Sequence, residues 1–287
     1  MRRTLRTLRT LRTVAAAVGS FALATAACGS GGADDDAPID ATAIDAPLPN
    51  FSFFVTSLRA LQELSGNQEG FGGDLRFGET GPGAGVRGAD KLCATIAERS
   101  MLGASGKPWR AFLSATADEN GQQVNAIDRI GDGPWYDRLG RVLAPSKANM
   151  MGIRPTGGDP AIADDFPNED GVPNHQPDAT MEEVDNHDML TGSNLQGRLE
   201  AANRTCLDWT ASAGNKPVEG QPRVGHSWPR GNFPGGGNQI NSWMSSLIES
   251  GCAPGVSLIE MGPPDPNSNT VGSGGGYGGF YCFSLIP

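Results

Sequence analysis

The residues with the most obvious capacity for chemistry lie between Thr156 and Gly197, where ten acids and two histidines occur with no Lys or Arg. Like charges at that density repel, and a hard divalent cation that takes a shell of oxygen ligands relieves the repulsion. The densest runs hold Asp164, Asp165, Glu169 and Asp170 in one place and Asp185 and Asp188 in another. Calcium is the ion that such carboxylates suit, although neither run has the regular spacing of an EF-hand loop. A solvated acidic insertion over 156–197 is the competing reading.

His175, His187 and His226 are the side chains that titrate near neutral pH, yet their spacing matches no recognised ligand motif. Gly225-His226-Ser227-Trp228 lacks the strand-turn-helix setting of a nucleophile elbow. No catalytic constellation can be assembled, so the chain reads as a non-enzymatic protein. Aromatic rings bury much area and stack on sugars. Trp109 and Trp209 fall in strand candidates and are expected in the core, whereas Trp228 and Trp243 fall in Gly-, Pro- and Asn-rich loops and are expected to offer a ligand surface. The run Gly272 to Gly279 lacks the Lys-Ser/Thr of a phosphate-binding loop. It reads as a flexible turn, or a close backbone approach, before a final strand.

The elements that must carry these residues are short. Leu92, Cys93, Ile96 and Ala97 form an apolar stripe over Ala89 to Arg99, which predicts a helix with Cys93 facing inward. Strands are predicted at Phe53–Thr56, Trp109–Leu113, Val142–Leu143, Cys206–Thr210 and Gly279–Phe283 from their β-branched and aromatic content. Between Phe53–Thr56 and Gly88 a Gly-rich loop is expected. Loops this long are uncommon in a compact domain unless they are functional or stapled.

The ends of the chain indicate where it operates. Arg2, Arg3, Arg6, Arg9 and Arg12 precede an apolar run from Val14 to Ala27, the pattern of a secretory signal over residues 1–27. At roughly 1.5 Å per residue the apolar run is too short to span a bilayer core of about 30 Å. Thr25-Ala26-Ala27-Cys28 resembles a lipobox, with Thr25 where a large aliphatic is usual, so Cys28 is expected to be lipidated. Gly29 after it resembles lipoproteins that travel on to the outer membrane. Residues 28–50 are rich in Asp, Ala and Pro and cannot bury enough surface to order themselves; they read as a tether. The rest, 51–287, suits one domain.

Of five cysteines, setting aside Cys28 leaves Cys93, Cys206, Cys252 and Cys282. In an exported chain these read as two disulfides, with three pairings open; no pair has zinc-knuckle spacing. The formal charge is −10, and removal of the five signal arginines takes it to −15. So acidic a surface repels nucleic acid and other polyanions. The partners left are a membrane through the lipid and a glycan or extracellular protein.

One resemblance runs through the domain. Gly88-Ala89-Asp90-Lys91-Leu92-Cys93, Trp109-Arg110-Ala111-Phe112-Leu113-Ser114, Asp128-Arg129, Gly133-Pro134-Trp135, Leu190-Thr191-Gly192-Ser193, Thr205-Cys206-Leu207-Asp208-Trp209-Thr210 and Phe280-Tyr281-Cys282-Phe283 occur in an order that resembles the endostatin-like branch of the C-type-lectin-like fold, including bacterial endostatin-like lipoproteins. The resemblance implies an α+β domain with short strands, one or two helices, long loops and two disulfides, Cys93 with Cys282 and Cys206 with Cys252. It would also imply zinc and heparin binding through N-terminal histidines and an arginine patch; this chain has no N-terminal His and is acidic, so neither carries over. Gln176-Pro177-Asp178 resembles the sugar-selecting tripeptide of calcium-dependent C-type lectins, but Leu247-Ile248-Glu249-Ser250-Gly251 stands where the companion Trp-Asn-Asp would be. The function expected is a surface lipoprotein acting as a binding or adhesion module for a glycan, peptide or matrix ligand, with calcium assisting. The alternatives are an envelope protein whose calcium serves stability only and, behind it, a hydrolase or modifying enzyme.

Overall fold

The computed structural model of the chain describes residues 49–175, 186–229, 241–259 and 262–287. The signal, the lipidation site Cys28, the tether up to residue 48, Gln176-Pro177-Asp178 and Asp185 lie outside the described residues. The architecture is mixed α/β with few helices and short strands. Its elements in chain order are β1 (Phe53–Val55), α1 (Leu58–Ser65), α2 (Ala84–Ser100), β2 (Trp109–Ala111), β3 (Trp135–Tyr136), β4 (Val142–Ala144), β5 (Asp188–Leu190), β6 (Arg223–His226), β7 (Leu247–Ile248) and β8 (Gly276–Ser284), with single helical turns between them.

All nine residues of β8 are buried. Its C-terminal half lies between β1 and β2, both antiparallel to it: Cys282 pairs with Phe54 on one side and with Ala111 on the other. Its N-terminal half runs parallel to β5, from which the sheet continues antiparallel through β6 to β7. β3 and β4 form a separate two-stranded ribbon.

Helix α2 buries Ala89, Leu92, Cys93, Ile96 and Ala97, the predicted stripe extended by one turn at its N-terminal end. Cys93 is bonded to Cys282 and Cys206 to Cys252, the pairing the resemblance implies. The core around β8 is aromatic: Phe53 and Phe283 lie 4.9 Å apart, Phe112 and Trp243 4.6 Å, Trp135 and Phe283 5.6 Å. Such ring pairs contribute about 0.5–1.5 kcal/mol each beyond the area they bury.

Two local expectations are corrected. The stretch after β1 is not all loop, because Ser57 caps α1 by accepting from the Ala60 N–H and Leu61 packs inward. Cys206 to Trp209 is not a strand: the four residues have φ of 49°, 53°, 54° and 65°, a single left-handed turn. That conformation costs L-residues roughly 1–2 kcal/mol each. It is held by the Cys206–Cys252 bond, by the Thr205 hydroxyl accepting from the Asp208 N–H, and by the Asp208 carboxylate accepting from the Thr116 N–H and hydroxyl.

Disulfides persist in oxidising compartments such as the extracellular space or periplasm, and the two here suit that setting. Among the described residues no helix is long and apolar enough to cross a membrane.

Candidate functional site

The acids expected to gather around calcium go to separate partners. Asp164 is exposed and lies 3.5 Å from the Arg154 Nε. Asp165 accepts from the His175 N–H, and burial raises its pKa. Glu169 is buried and accepts from the Ser57 N–H and hydroxyl; burial raises its pKa against those bonds. Asp170 is exposed. Of these acids, Asp188 alone belongs to a converging group of three ligand-type side chains among the described residues.

The loop tryptophans are not at the surface. Trp243 is fully buried, with its indole N–H donating to the Met150 carbonyl and its ring against Phe112. Trp228 is 7% exposed, donates to the Asn186 Oδ1 and stacks on His175 at 3.9 Å. Their Gly- and Pro-rich flanks suggested exposure, but each indole has an internal acceptor and aromatic neighbours. Trp109 is buried in β2 as expected, and Trp209 is buried from the left-handed turn.

What the strands bring together is a buried centre that the sequence pattern did not reveal. Asp188 on β5 is the register partner of His226 on β6, and His187 precedes Asp188. His226 Nε2 lies 2.9 Å from Asp188 Oδ1, and His187 Nε2 lies 3.4 Å from the same oxygen. The two imidazoles meet edge to face at 4.0 Å. One ligand-type atom from each of the three side chains falls within 4.8 Å of the other two, and all three residues are buried. No other trio of His, Cys, Asp or Glu among the described residues converges in this way.

The backbone is built to hold this centre. A Cβ on Gly225 would stand 1.8 Å from the Trp243 carbonyl oxygen, so only glycine lets β6 approach that segment and set His226 in register. Arg154 donates to the carbonyls of His226 (2.7 Å) and Ser227 (2.9 Å), and burial pushes its pKa down to about 10. Ser227 N–H donates to the His187 carbonyl. Trp228 packs its edge on His187 at 4.7 Å.

A second carboxyl lies beside the first. Glu249 is fully buried and accepts from the Gly274 N–H at 2.9 and 3.1 Å and from the Ser273 hydroxyl at 3.1 Å. Burial first, and then the adjacent Asp188 carboxyl, hold the Glu249 carboxyl well above the usual carboxylate range. A Cβ on Gly274 would meet Asp188 Oδ2 at 2.9 Å and Glu249 Oε1 at 3.1 Å. The Gly272–Gly279 run is therefore a close backbone approach, and what it approaches is this carboxyl pair.

Two chemistries fit these groups. The Ser246 hydroxyl lies 3.3 Å from His226 Nδ1, so Ser246, His226 and Asp188 make a serine–imidazole–carboxylate chain. Two imidazoles with a carboxylate are also a nitrogen and oxygen donor set for a divalent transition ion.

Away from this centre, an open polar cleft of about 560 Å³ lies against the N-terminal half of α2. Its walls carry Arg87, Arg110, Asp118, Glu119 and Asn125, and its floor is the Asp90–Arg129 pair, joined by bonds of 2.7 and 2.9 Å. No family model matches the chain, and no curated protein matches it either.

Proposed function

We propose that the chain is an exported lipoprotein, anchored through Cys28, whose folded unit is an endostatin-like member of the C-type-lectin-like class acting as a non-enzymatic binding module. The observation that carries this reading is the open cleft beside α2. It is roomy and polar, and opposite charges on its walls are available to a glycan, peptide or matrix ligand. Arg110 is the most exposed of the cleft's arginines, at 39% against 34% for Arg87 and 14% for Arg129, with the Asp90 carboxylate 3.8 Å away. Ligand sites are typically concave with a few convergent polar groups, and binding residues concentrate on loops held by a rigid scaffold. Both disulfides and the paired terminal strands supply that rigidity.

The test is a glycan and matrix-protein array probed with the full-length chain in mild detergent, followed by titration of any hit against Arg110→Ala. The expected outcome is a ligand whose affinity falls at least about tenfold in the variant, the loss of one charge-assisted contact. An empty array, or a hit indifferent to Arg110, would remove the cleft as the binding site.

A further inference from the structure

We infer that His187, Asp188 and His226 form a binding site for one divalent transition-metal ion of the zinc class. The inference does not depend on the binding-module reading, since the centre and the cleft share no residues. Nor is it the zinc site implied by the endostatin resemblance, which uses N-terminal histidines.

Two observations favour a metal site over a serine–histidine–carboxylate relay, and a third, the Ser246 contact, fits both. A relay has no use for His187, yet His187 Nε2 faces the same Asp188 oxygen as His226 Nε2, and both rings are buried. The contact between Ser246 and His226 is made at Nδ1, the nitrogen turned away from Asp188. Metal-ligating imidazoles are commonly oriented through their other ring nitrogen by such an outer partner, which gives Ser246 a positioning role. Finally, Asp188 does not stand as a single acid beside two bases. Glu249 lies beside it, and the Gly274 backbone approaches both carboxyls, with its N–H donating to Glu249. Two adjacent buried carboxyls are costly in a low-dielectric interior unless a positive charge or a proton offsets them; a dication held by Asp188 and the two imidazoles is a charge placed to do so.

The donor set selects the ion. Calcium takes six or more oxygens and no imidazole, whereas two imidazole nitrogens and a carboxylate oxygen suit zinc, for which cobalt serves as the spectroscopic stand-in. Glu249 is not one of the three converging residues, but its side-chain hydrogen bond to Asp188 lets it orient Asp188 from outside the set.

The experiment uses the oxidised full-length chain in mild detergent, stripped by a chelator and titrated with zinc and, as a spectroscopic probe, with cobalt. One equivalent of either ion per chain is expected, with visible cobalt bands of low-symmetry coordination and calcium failing to displace it. His187→Gln and His226→Gln should each weaken binding at least about 100-fold, and Ser246→Ala by about 10-fold. Because a buried histidine variant can fail to fold, the wild-type chain labelled with ¹⁵N in its imidazoles gives a second readout. Zinc must shift the ring nitrogens of two histidines and leave the third, His175, in place. Absence of stoichiometric zinc and cobalt binding by the wild type would overturn the inference. So would binding that leaves all three imidazoles unshifted, which would put the ion on other residues. A serine-directed fluorophosphonate label on Ser246 in the stripped chain would overturn it in favour of the relay.

Discussion

The two halves of β8 occupy opposite chemical worlds. From Tyr281 to Ser284 the strand lies between β1 and β2, is tied to α2 through Cys282 and is surrounded by Phe53, Phe112, Trp135 and Trp243. From Gly276 to Gly279 the same strand is mostly glycine, has β5 beside it, and follows a loop that wraps the Asp188 and Glu249 carboxyls. Large rings that interlock create stability and leave no space, whereas absent side chains let polar groups be buried side by side. The lesson is that one strand can anchor a fold at one end and build a charged interior at the other, provided that the first end stabilises enough to offset the cost of the second.

The largest way to break that comparison is to cut the scaffold half. In the chain-entropy description, removing Cys93–Cys282, which are 189 residues apart, costs about 5 kcal/mol, and removing Cys206–Cys252, which are 46 apart, about 4 kcal/mol. Urea unfolding of the two paired-serine variants should rank them in that order, and equal losses would mean that loop length does not set the stabilisation here. A smaller effect, confined to the polar half, is expected of Gly225→Ala. Its Cβ has the Trp243 carbonyl 1.8 Å away, so β6 must shift at a cost of about 3 kcal/mol. Hydrogen exchange should then quicken at the amides of 276–279 while those of 281–283 keep their protection; uniform quickening would show that the halves are one cooperative unit.

The smallest effect tests a charge set inside the scaffold half. Burial holds Glu169 above the ordinary carboxylate range despite its bonds from Ser57. A raised folded pKa favours the protonated form, so its contribution is complete at pH below the ordinary carboxylate value and is lost as pH rises through the folded one. Between about pH 4 and about pH 8 the wild type should lose about 1.4 kcal/mol per unit of that shift relative to Glu169→Gln. Parallel stability curves for the two proteins would remove Glu169 as a buried titrating group.

Much of the scaffold was legible because its signals are local. The α2 stripe, the aromatic strands at Phe53, Trp109 and Gly279, and the even number of domain cysteines each follow from residue type over a few positions. Cys206 to Trp209 misled because a tryptophan favours extended backbone, while the left-handed turn is imposed from elsewhere in the chain, by Cys252 through its disulfide to Cys206 and by Thr116 through its bonds to Asp208. The metal centre was illegible for a related reason. Of the acids between Thr156 and Gly197, Asp188 had a plain claim to a cation through its charge, but its partner His226 arrives only through β5–β6 register. No spacing rule encodes that pairing. Glu249 joins from β7's far end, after a further turn of the chain.

The two disulfides also give the domain a covalent topology that its hydrogen bonds do not. Cys93–Cys282 closes a ring around nearly every loop, and Cys206–Cys252 sets a smaller ring inside it. A protease that severs one peptide bond anywhere between residues 94 and 281 therefore releases no fragment: the pieces stay joined until a thiol opens the ring. In an oxidising extracellular or periplasmic setting, where thiols are scarce, a chain joined in this way can be nicked between those residues and still remain a single molecule.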